Sequence, residues 1–192
     1  MPNWVDNRLI ATGPAIEVNS LIRLVIGDRC FDFNKIIPMP QELRGTTSPV
    51  PKGQEAEAAR LQAQYGHANW YSWACANWGT KWGACNPTGT SGVSPLEELA
   101  AASEDSPPRA QAEWGFQTAW SPPEPVMKKL SEMFPEVTFT WDCIEEQPSF
   151  GGSMTLVAGE VVEGGYCEGE MNEIWSMSDW HENYRYDPDE DE

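Results

Sequence analysis

The stretch EWGFQTAWSPPEPVMKKLSEMFPEVTFTWD, residues 113–142, decides the fold class of this chain. Large side chains alternate with smaller ones at Trp114, Phe116 and Trp120, which predicts a strand. The prolines that follow suit the first turn of a helix, where their missing N–H groups do no harm. Ser121 and Glu124 have the spacing of a capping box. The segment therefore predicts a strand that leads directly into a helix.

The same stretch continues into a second strand. Val126 and Leu130 fall on one helical face, and Pro135 ends the helix. Phe139 and Trp141 then alternate with polar residues, which is typical of a strand with one buried face. Because the connection is short, we expect the two strands to be parallel and joined by a right-handed crossover.

A similar unit is expected at the start of the chain. Residues 7–12 predict a strand, a helix is expected from Pro14, and residues 30–33 predict a returning strand. Residues 153–162 are expected to form a further antiparallel strand. Two strand–helix–strand units predict an α+β fold, a ferredoxin-like split βαβ sandwich with helices on one face of an antiparallel sheet.

The length of 192 residues fits a single domain. We predict one ferredoxin-like domain over residues 1–186, with a helical, Trp-rich insertion at residues 41–112 joining the two halves. Residues 55–65 of the insertion have a helical pattern. Residues 187–192, DPDEDE, are expected to be an acidic disordered tail.

The charge of the chain bears most directly on its partners. The net charge of −18 argues against direct binding to nucleic acid or to an anionic membrane. From Leu130 to Tyr184 there are twelve Asp and Glu residues and no Lys or Arg. The same span keeps a strand-like apolar pattern, so we expect it to be folded. Solubility alone is the alternative explanation for this acidity.

A folded anionic surface attracts basic grooves, which usually hold nucleic acid. We therefore predict that acidic side chains contact a protein partner with such a groove. The candidate acidic contacts are Glu145, Glu146, Glu160, Glu163, Glu168, Glu170, Glu173, Asp179 and Glu182.

A second candidate surface is the aromatic segment ANWYSWACANWGTKWGAC, residues 68–85. Tryptophan is enriched among the residues that dominate protein interfaces. The candidate aromatic contacts, with one cation among them, are Trp70, Trp73, Trp78, Lys81 and Trp82. The alternative, which we favour, is that these rings dock the insertion onto the sheet.

Catalytic chemistry has little support in the residues. Two His and five widely spaced Cys give no zinc motif and no nucleophile–base pair, so we expect no metal and no cofactor. The cysteines are expected to be reduced thiols, as in a cytoplasmic protein. Asp142, Glu145 and Glu146 follow a strand as the acids of metal-dependent nucleases do, so a nuclease or nucleotide-modifying enzyme stays an alternative.

Four blocks carry a family resemblance: MPNW at residues 1–4, FNKIIPMP at 33–40, NWGTKWGAC at 77–85 and FQTAWSPPEPVMKKLSEMFP at 116–135. Together they resemble the YubB-like family, ferredoxin-like proteins of phages and conjugative plasmids. The resemblance implies a ferredoxin-like fold and residence on a mobile element in the cytoplasm of a bacterial host. It implies no activity and no site residues. Val5 departs from the family pattern, in which Cys is frequent at this position.

These observations give three functional hypotheses. The leading one is a non-catalytic counter-defence protein, of the anti-CRISPR or anti-restriction type, that mimics nucleic acid in the basic channel of a host effector. The second is the metal-dependent nuclease or nucleotide-modifying enzyme. The third is a protein-binding adaptor that uses the Trp-rich insertion. The target and the oligomeric state are not predicted.

Overall fold

The structure is a computed structural model that describes residues 3–27, 31–89, 94–95, 108–145 and 150–168. The strands are β1 Trp4–Pro14, β2 Cys85–Gly89, β3 Ser94–Pro95, β4 Arg109–Ala119, β5 Thr138–Glu145, β6 Phe150–Val157 and β7 Glu160–Glu168. The helices are α1 Ala15–Val25, α2 Phe33–Ile36, α3 Gln41–Arg44, α4 Glu55–Tyr65, α5 Trp70–Asn77 and α6 Glu124–Met133.

All described strands form one sheet in the order β2-β4-β1-β5-β6-β7, and β3 also pairs with β4. Neighbouring strands are antiparallel throughout. Strands β4 and β5 are therefore parallel to each other with β1 between them, and α6 connects them. Strands β1 and β2 are likewise parallel to each other, with β4 between them. The two interleaved units make the fold ferredoxin-like, as predicted, and the β6–β7 pair extends the sheet.

The core lies on the helix-covered face of the sheet. Side chains of β1 alternate between buried and half-buried along its whole length, as the two-residue period of a strand requires. Leu9, Trp114 and Trp141 are fully buried on that face, and the apolar sides of α1 and α6 pack over it. The opposite face carries mainly polar, half-buried side chains.

The strand predicted at residues 30–33 is wrong. Phe33 begins the short helix α2, because the Asp32 carboxylate accepts a hydrogen bond from the Asn34 N–H and caps it. Phe31 is buried instead by stacking on Phe116, with ring centroids 5.1 Å apart. The second strand of the first unit is β2, far downstream. Strands β2 and β3 and the first residues of β4 thus lie inside the range predicted as an insertion, residues 41–112.

Two local predictions near the second unit also need correction. The single strand expected at residues 153–162 is a hairpin, in which Ala158 and Gly159 have φ of 50° and 87° and form the turn between β6 and β7. The capping box is not formed, since the Ser121 hydroxyl donates to the Gly79 carbonyl and α6 begins after Pro123.

Candidate functional site

The acidic residues predicted to bind a partner fall into three groups. Glu160 and Glu163 are exposed on β7, the last strand of the sheet, and Glu168 is the final residue of that strand. A bulge separates the pairs Glu163–Thr155 and Glu160–Val157. The remaining predicted contacts, Glu146, Glu170, Glu173, Asp179 and Glu182, lie outside the described residues.

Glu145 must be removed from the predicted contact surface. It is only 9% exposed, at the end of β5 on the helix-covered face, and its Oε1 accepts a hydrogen bond from Asn3 Nδ2 at 3.1 Å. Asp142 lies three residues earlier on the same strand and is paired in register with Arg8, whereas Glu145 is paired with Val5. Because side chains alternate along a strand, the two carboxylates lie on opposite faces. Asp142 and Glu145 therefore cannot bind one metal ion together, whereas Glu146, the third acid of the nuclease hypothesis, lies outside the described residues.

Several described acidic side chains form ion pairs. Arg8 pairs with Glu113 across β1 and β4 at 2.8 Å, and Lys128 pairs with Glu124 on α6 at 2.7 Å. The structure describes fifteen of the 30 acidic residues but ten of the 12 basic ones. Most of the net charge of −18 therefore belongs to residues outside the described ranges.

Trp73 and Trp78 are not available to a partner. They are 6% and 5% exposed, and their rings meet edge to face with centroids 5.4 Å apart. The Trp78 indole N–H donates to the Ile37 carbonyl at 2.9 Å, and its ring contacts Phe33. Both side chains therefore belong to the core, as the docking alternative predicted. Trp70 is partly buried against the same core.

Lys81 and Trp82 do come together at the surface. The Lys81 ammonium lies 4.4 Å from the centroid of the Trp82 ring and 5.9 Å from that of Tyr71, both within the range of a cation–π contact. Trp4 joins the cluster, with its centroid 6.1 Å from that of Trp82. Sequence reasoning did not select Trp4 and Tyr71, since neither follows a recognisable motif.

A cavity of about 420 Å³ lies at one end of the sheet, between the turn after β4, the N-terminus of α6, and strands β6 and β7. The sequence analysis predicted none of its residues as a binding site. The stretch WSPPEP, residues 120–125, was the available signal, because a Trp beside a proline-rich turn holds its ring on a stiff backbone. The principal lining side chains are Trp120, Pro122, Glu124, Pro125, Phe150 and Tyr166.

Trp120 occupies an unusual backbone conformation beside this cavity. Its φ is 74°, in the left-handed region that bulky residues rarely enter, and its side chain is 51% exposed. Such a conformation costs roughly 1–3 kcal/mol. The Trp120 N–H donates to the Asn3 carbonyl at 2.9 Å, which holds the turn in place. A strained and exposed Trp is typical of a binding residue more than of a stabilising one.

The wall behind Trp120 is rigid. Thr118 donates to the Ser121 carbonyl at 2.8 Å, and Ser121 in turn donates to the Gly79 carbonyl. Gly79 has φ of 78°, and a Cβ there would lie 2.8 Å from Pro125 Cδ. These contacts hold the turn that forms one side of the cavity.

Besides Ser121, the cavity is lined by a carboxylate and a phenol, those of Glu124 and Tyr166. The Tyr166 hydroxyl donates to Glu124 Oε2 at 3.2 Å. Burial raises the pKa of Tyr166, and the nearby Glu124 carboxylate adds to this effect. The phenol is therefore neutral over the physiological range and acts as a donor.

The described cysteines, Cys75, Cys85, Cys143 and Cys167, are free thiols. Burial raises the pKa of Cys143 to about 12, with a further contribution from Asp142. Such a thiol is unreactive at neutral pH. Within the described ranges no three His, Cys, Asp or Glu side chains are grouped closely enough to hold a metal ion.

A match to a protein family agrees with this fold. Residues 100–186 match the family described as "Ferredoxin-like domain in Api92-like protein". That range contains β4, α6, β5, β6 and β7. The structure is also similar to the crystal structure of a protein api92 from Yersinia pseudotuberculosis, at 11% identity and a TM-score of 0.45. The similarity covers 88% of this chain and 99% of that one. No curated protein matches the chain.

None of the helices in the described ranges is both long enough and apolar enough to cross a membrane.

Proposed function

We propose that the protein is a non-catalytic inhibitor that occupies the basic, nucleic-acid-binding groove of another protein. The observation that carries this proposal is the acidic edge of the sheet. Strand β7 exposes Glu160 and Glu163, and the cation-free span of the sequence continues after the end of this strand. A charged edge strand also resists pairing with other chains, so the carboxylates stay accessible to a partner.

Electrostatics favours a basic partner. Charged surfaces of opposite sign speed association, and salt weakens their attraction. The resemblance to the YubB-like family suggests a specific setting, in which the protein is carried by a mobile element and acts on a host defence effector in the bacterial cytoplasm. The proposed partner is therefore a CRISPR or restriction effector whose channel normally holds DNA or RNA.

The test is competition between this protein and nucleic acid. A purified effector is loaded with fluorescently labelled DNA, the protein is added, and the anisotropy of the label reports displacement. We expect displacement that weakens strongly as salt rises from about 50 to about 200 mM. Binding to the effector that coexists with bound DNA and does not depend on salt would overturn the proposal.

A charge-matched pair of variants locates the surface. Glu160→Gln with Glu163→Gln is expected to weaken competition about two- to thirtyfold, because each exposed ion pair contributes roughly 0.2–1 kcal/mol. The control, Glu55→Gln with Glu57→Gln, removes the same charge from the exposed α4 helix and is expected to compete normally. Equal effects of the two double variants would show that net charge alone matters.

The adaptor remains a second candidate, favoured by the surface cluster of Trp4, Tyr71, Lys81 and Trp82. In this case Trp82→Ala abolishes partner capture while the unfolding transition is unchanged. Trp78→Ala is not a suitable test, because Trp78 is buried and its loss is expected to unfold the protein.

A further inference from the structure

The cavity beside Trp120 has the chemical character of a cation site. Three aromatic side chains, Trp120, Phe150 and Tyr166, line it together with the carboxylate of Glu124. Aromatic faces attract cations, and a carboxylate among them adds a charge of the right sign. The volume of about 420 Å³ is at the small end of ligand sites, which suits one side chain more than a large cofactor.

The Glu124 carboxylate still has room to accept hydrogen bonds. Its Oε1 is paired with Lys128 Nζ at 2.7 Å, and its Oε2 accepts from the Tyr166 hydroxyl. Each carboxylate oxygen has two acceptor positions, so an incoming donor can be bound without breaking either contact. Lys128 is 44% exposed and lies four residues after Glu124 on α6. Its charge reduces the negative potential of the site.

The strain at Trp120 is the second, independent observation. A glycine would adopt φ of 74° without cost, yet the position holds the largest side chain, half exposed at the rim of the cavity. The chain thus keeps an unfavourable backbone conformation that places an aromatic ring beside Glu124. Strain of this kind clusters at ligand sites, where it positions a contact residue.

We propose that this cavity binds an arginine side chain of a protein partner. The planar guanidinium stacks on aromatic rings and presents several N–H donors, which fits both Trp120 and Glu124. The inference rests on the proposed function in one respect, that the partner presents basic side chains. The inference assigns one basic side chain of the partner to this cavity, whereas the acidic strand β7 attracts the other basic side chains.

The experiment uses a small ligand and needs no effector. N-acetyl-arginine methylamide is titrated into the ¹⁵N-labelled full chain, and the indole N–H signals are followed by NMR. The Trp120 signal is assigned by its absence from the spectrum of Trp120→Phe. The neutral isostere, N-acetyl-citrulline methylamide, is titrated in parallel. We expect a saturable shift of the Trp120 signal with the arginine compound and at least fivefold weaker binding of the citrulline compound.

Three variants complete the test. Trp120→Ala and Glu124→Gln are each expected to weaken arginine binding about fivefold or more, as the loss of one cation–π contact or one charged acceptor predicts. Lys128→Met is expected to strengthen binding about twofold, because it removes the competing cation. A purely apolar pocket would not respond to Lys128→Met.

Equal binding of the arginine and citrulline compounds, or no shift of Trp120 at millimolar concentration, would overturn the inference. Either outcome leaves the proposed competition with nucleic acid standing, since that is measured separately on an effector. Failure of the competition assay, in turn, does not remove arginine binding by the isolated chain. Each result therefore bears on one proposal only.

Discussion

Asn7 is a buried polar residue whose removal has a calculable consequence. It is 1% exposed at the centre of the sheet, where its Nδ2 donates to Thr118 Oγ1 at 3.0 Å and to the Val5 carbonyl at 2.9 Å. Its Oδ1 accepts from the Trp141 indole N–H at 3.1 Å. One side chain thus joins β1 to both neighbouring strands. Through Thr118 it also supports the turn that carries Ser121 and the cavity wall.

Asn7→Ala is expected to lower the free energy of unfolding by about 3 kcal/mol. The Trp141 N–H loses its partner in a region closed to water, which costs about 1–3 kcal/mol. Thr118 keeps its bond to Ser121, so it adds little, and the space left by the amide adds roughly 1 kcal/mol. The melting temperature is expected to fall by roughly 6–12 °C for a chain of this size.

The decisive measurement is a double-mutant cycle by urea unfolding, followed by Trp fluorescence and far-UV circular dichroism. Trp141→Phe removes the indole N–H, so Asn7→Ala no longer orphans a donor in that background. We expect Asn7→Ala to cost about 1–3 kcal/mol less there than in the natural sequence. If Asn7→Ala costs the same in both backgrounds, the hydrogen bond between Asn7 and Trp141 does not contribute and the reasoning is refuted.

Four further predictions concern the turn and the thiols. Trp120→Gly is expected to be more stable than Trp120→Ala by about 1 kcal/mol in urea unfolding, because only glycine adopts φ of 74° without strain; the reverse order would contradict the left-handed conformation. Gly79→Ala is expected to lower the free energy of unfolding by about 1–3 kcal/mol, because the new Cβ would lie 2.8 Å from Pro125 Cδ and φ would stay positive. An unchanged denaturation midpoint would contradict this packing. Cys143 is expected to react with a thiol reagent only on unfolding, whereas exposed Cys75 reacts in the folded state. Burial raises the pKa of Cys143 from 9.0 to about 12, so the folded state holds the thiol proton more tightly than the unfolded state does. The contribution of this thiol to stability is therefore lost as pH rises from about 9 to about 12. Cys143→Ala is expected to remove this loss.

Predictions from the sequence succeeded where the pattern is local. The strand through Trp114 and Phe116, the helix α6 and the strand β5 all follow from side-chain periodicity, which depends only on neighbours along the chain. The helix α4 at residues 55–65 was also predicted to the residue.

Predictions failed where a distant contact decided the outcome. Phe31 and Phe33 alternate like strand residues, but Phe116 and Trp78 bury them as part of a turn and a short helix. Ser121 has the spacing of a capping residue, yet its hydroxyl donates a hydrogen bond to the Gly79 carbonyl, 42 positions earlier in the chain. Neither partner is visible from the local sequence.

The sequence by itself determined the fold class, the acidic character and the placement of the main strands and helices, because periodicity and charge are properties of the chain alone. Only the tertiary structure decided which Trp residues are buried, that Asp142 and Glu145 lie on opposite faces, and that Trp120, Glu124 and Tyr166 share one cavity. The physical reason is that burial and electrostatic environment are set by neighbours in space. Those neighbours come from strands and turns that the chain brings together only when the whole sheet has formed.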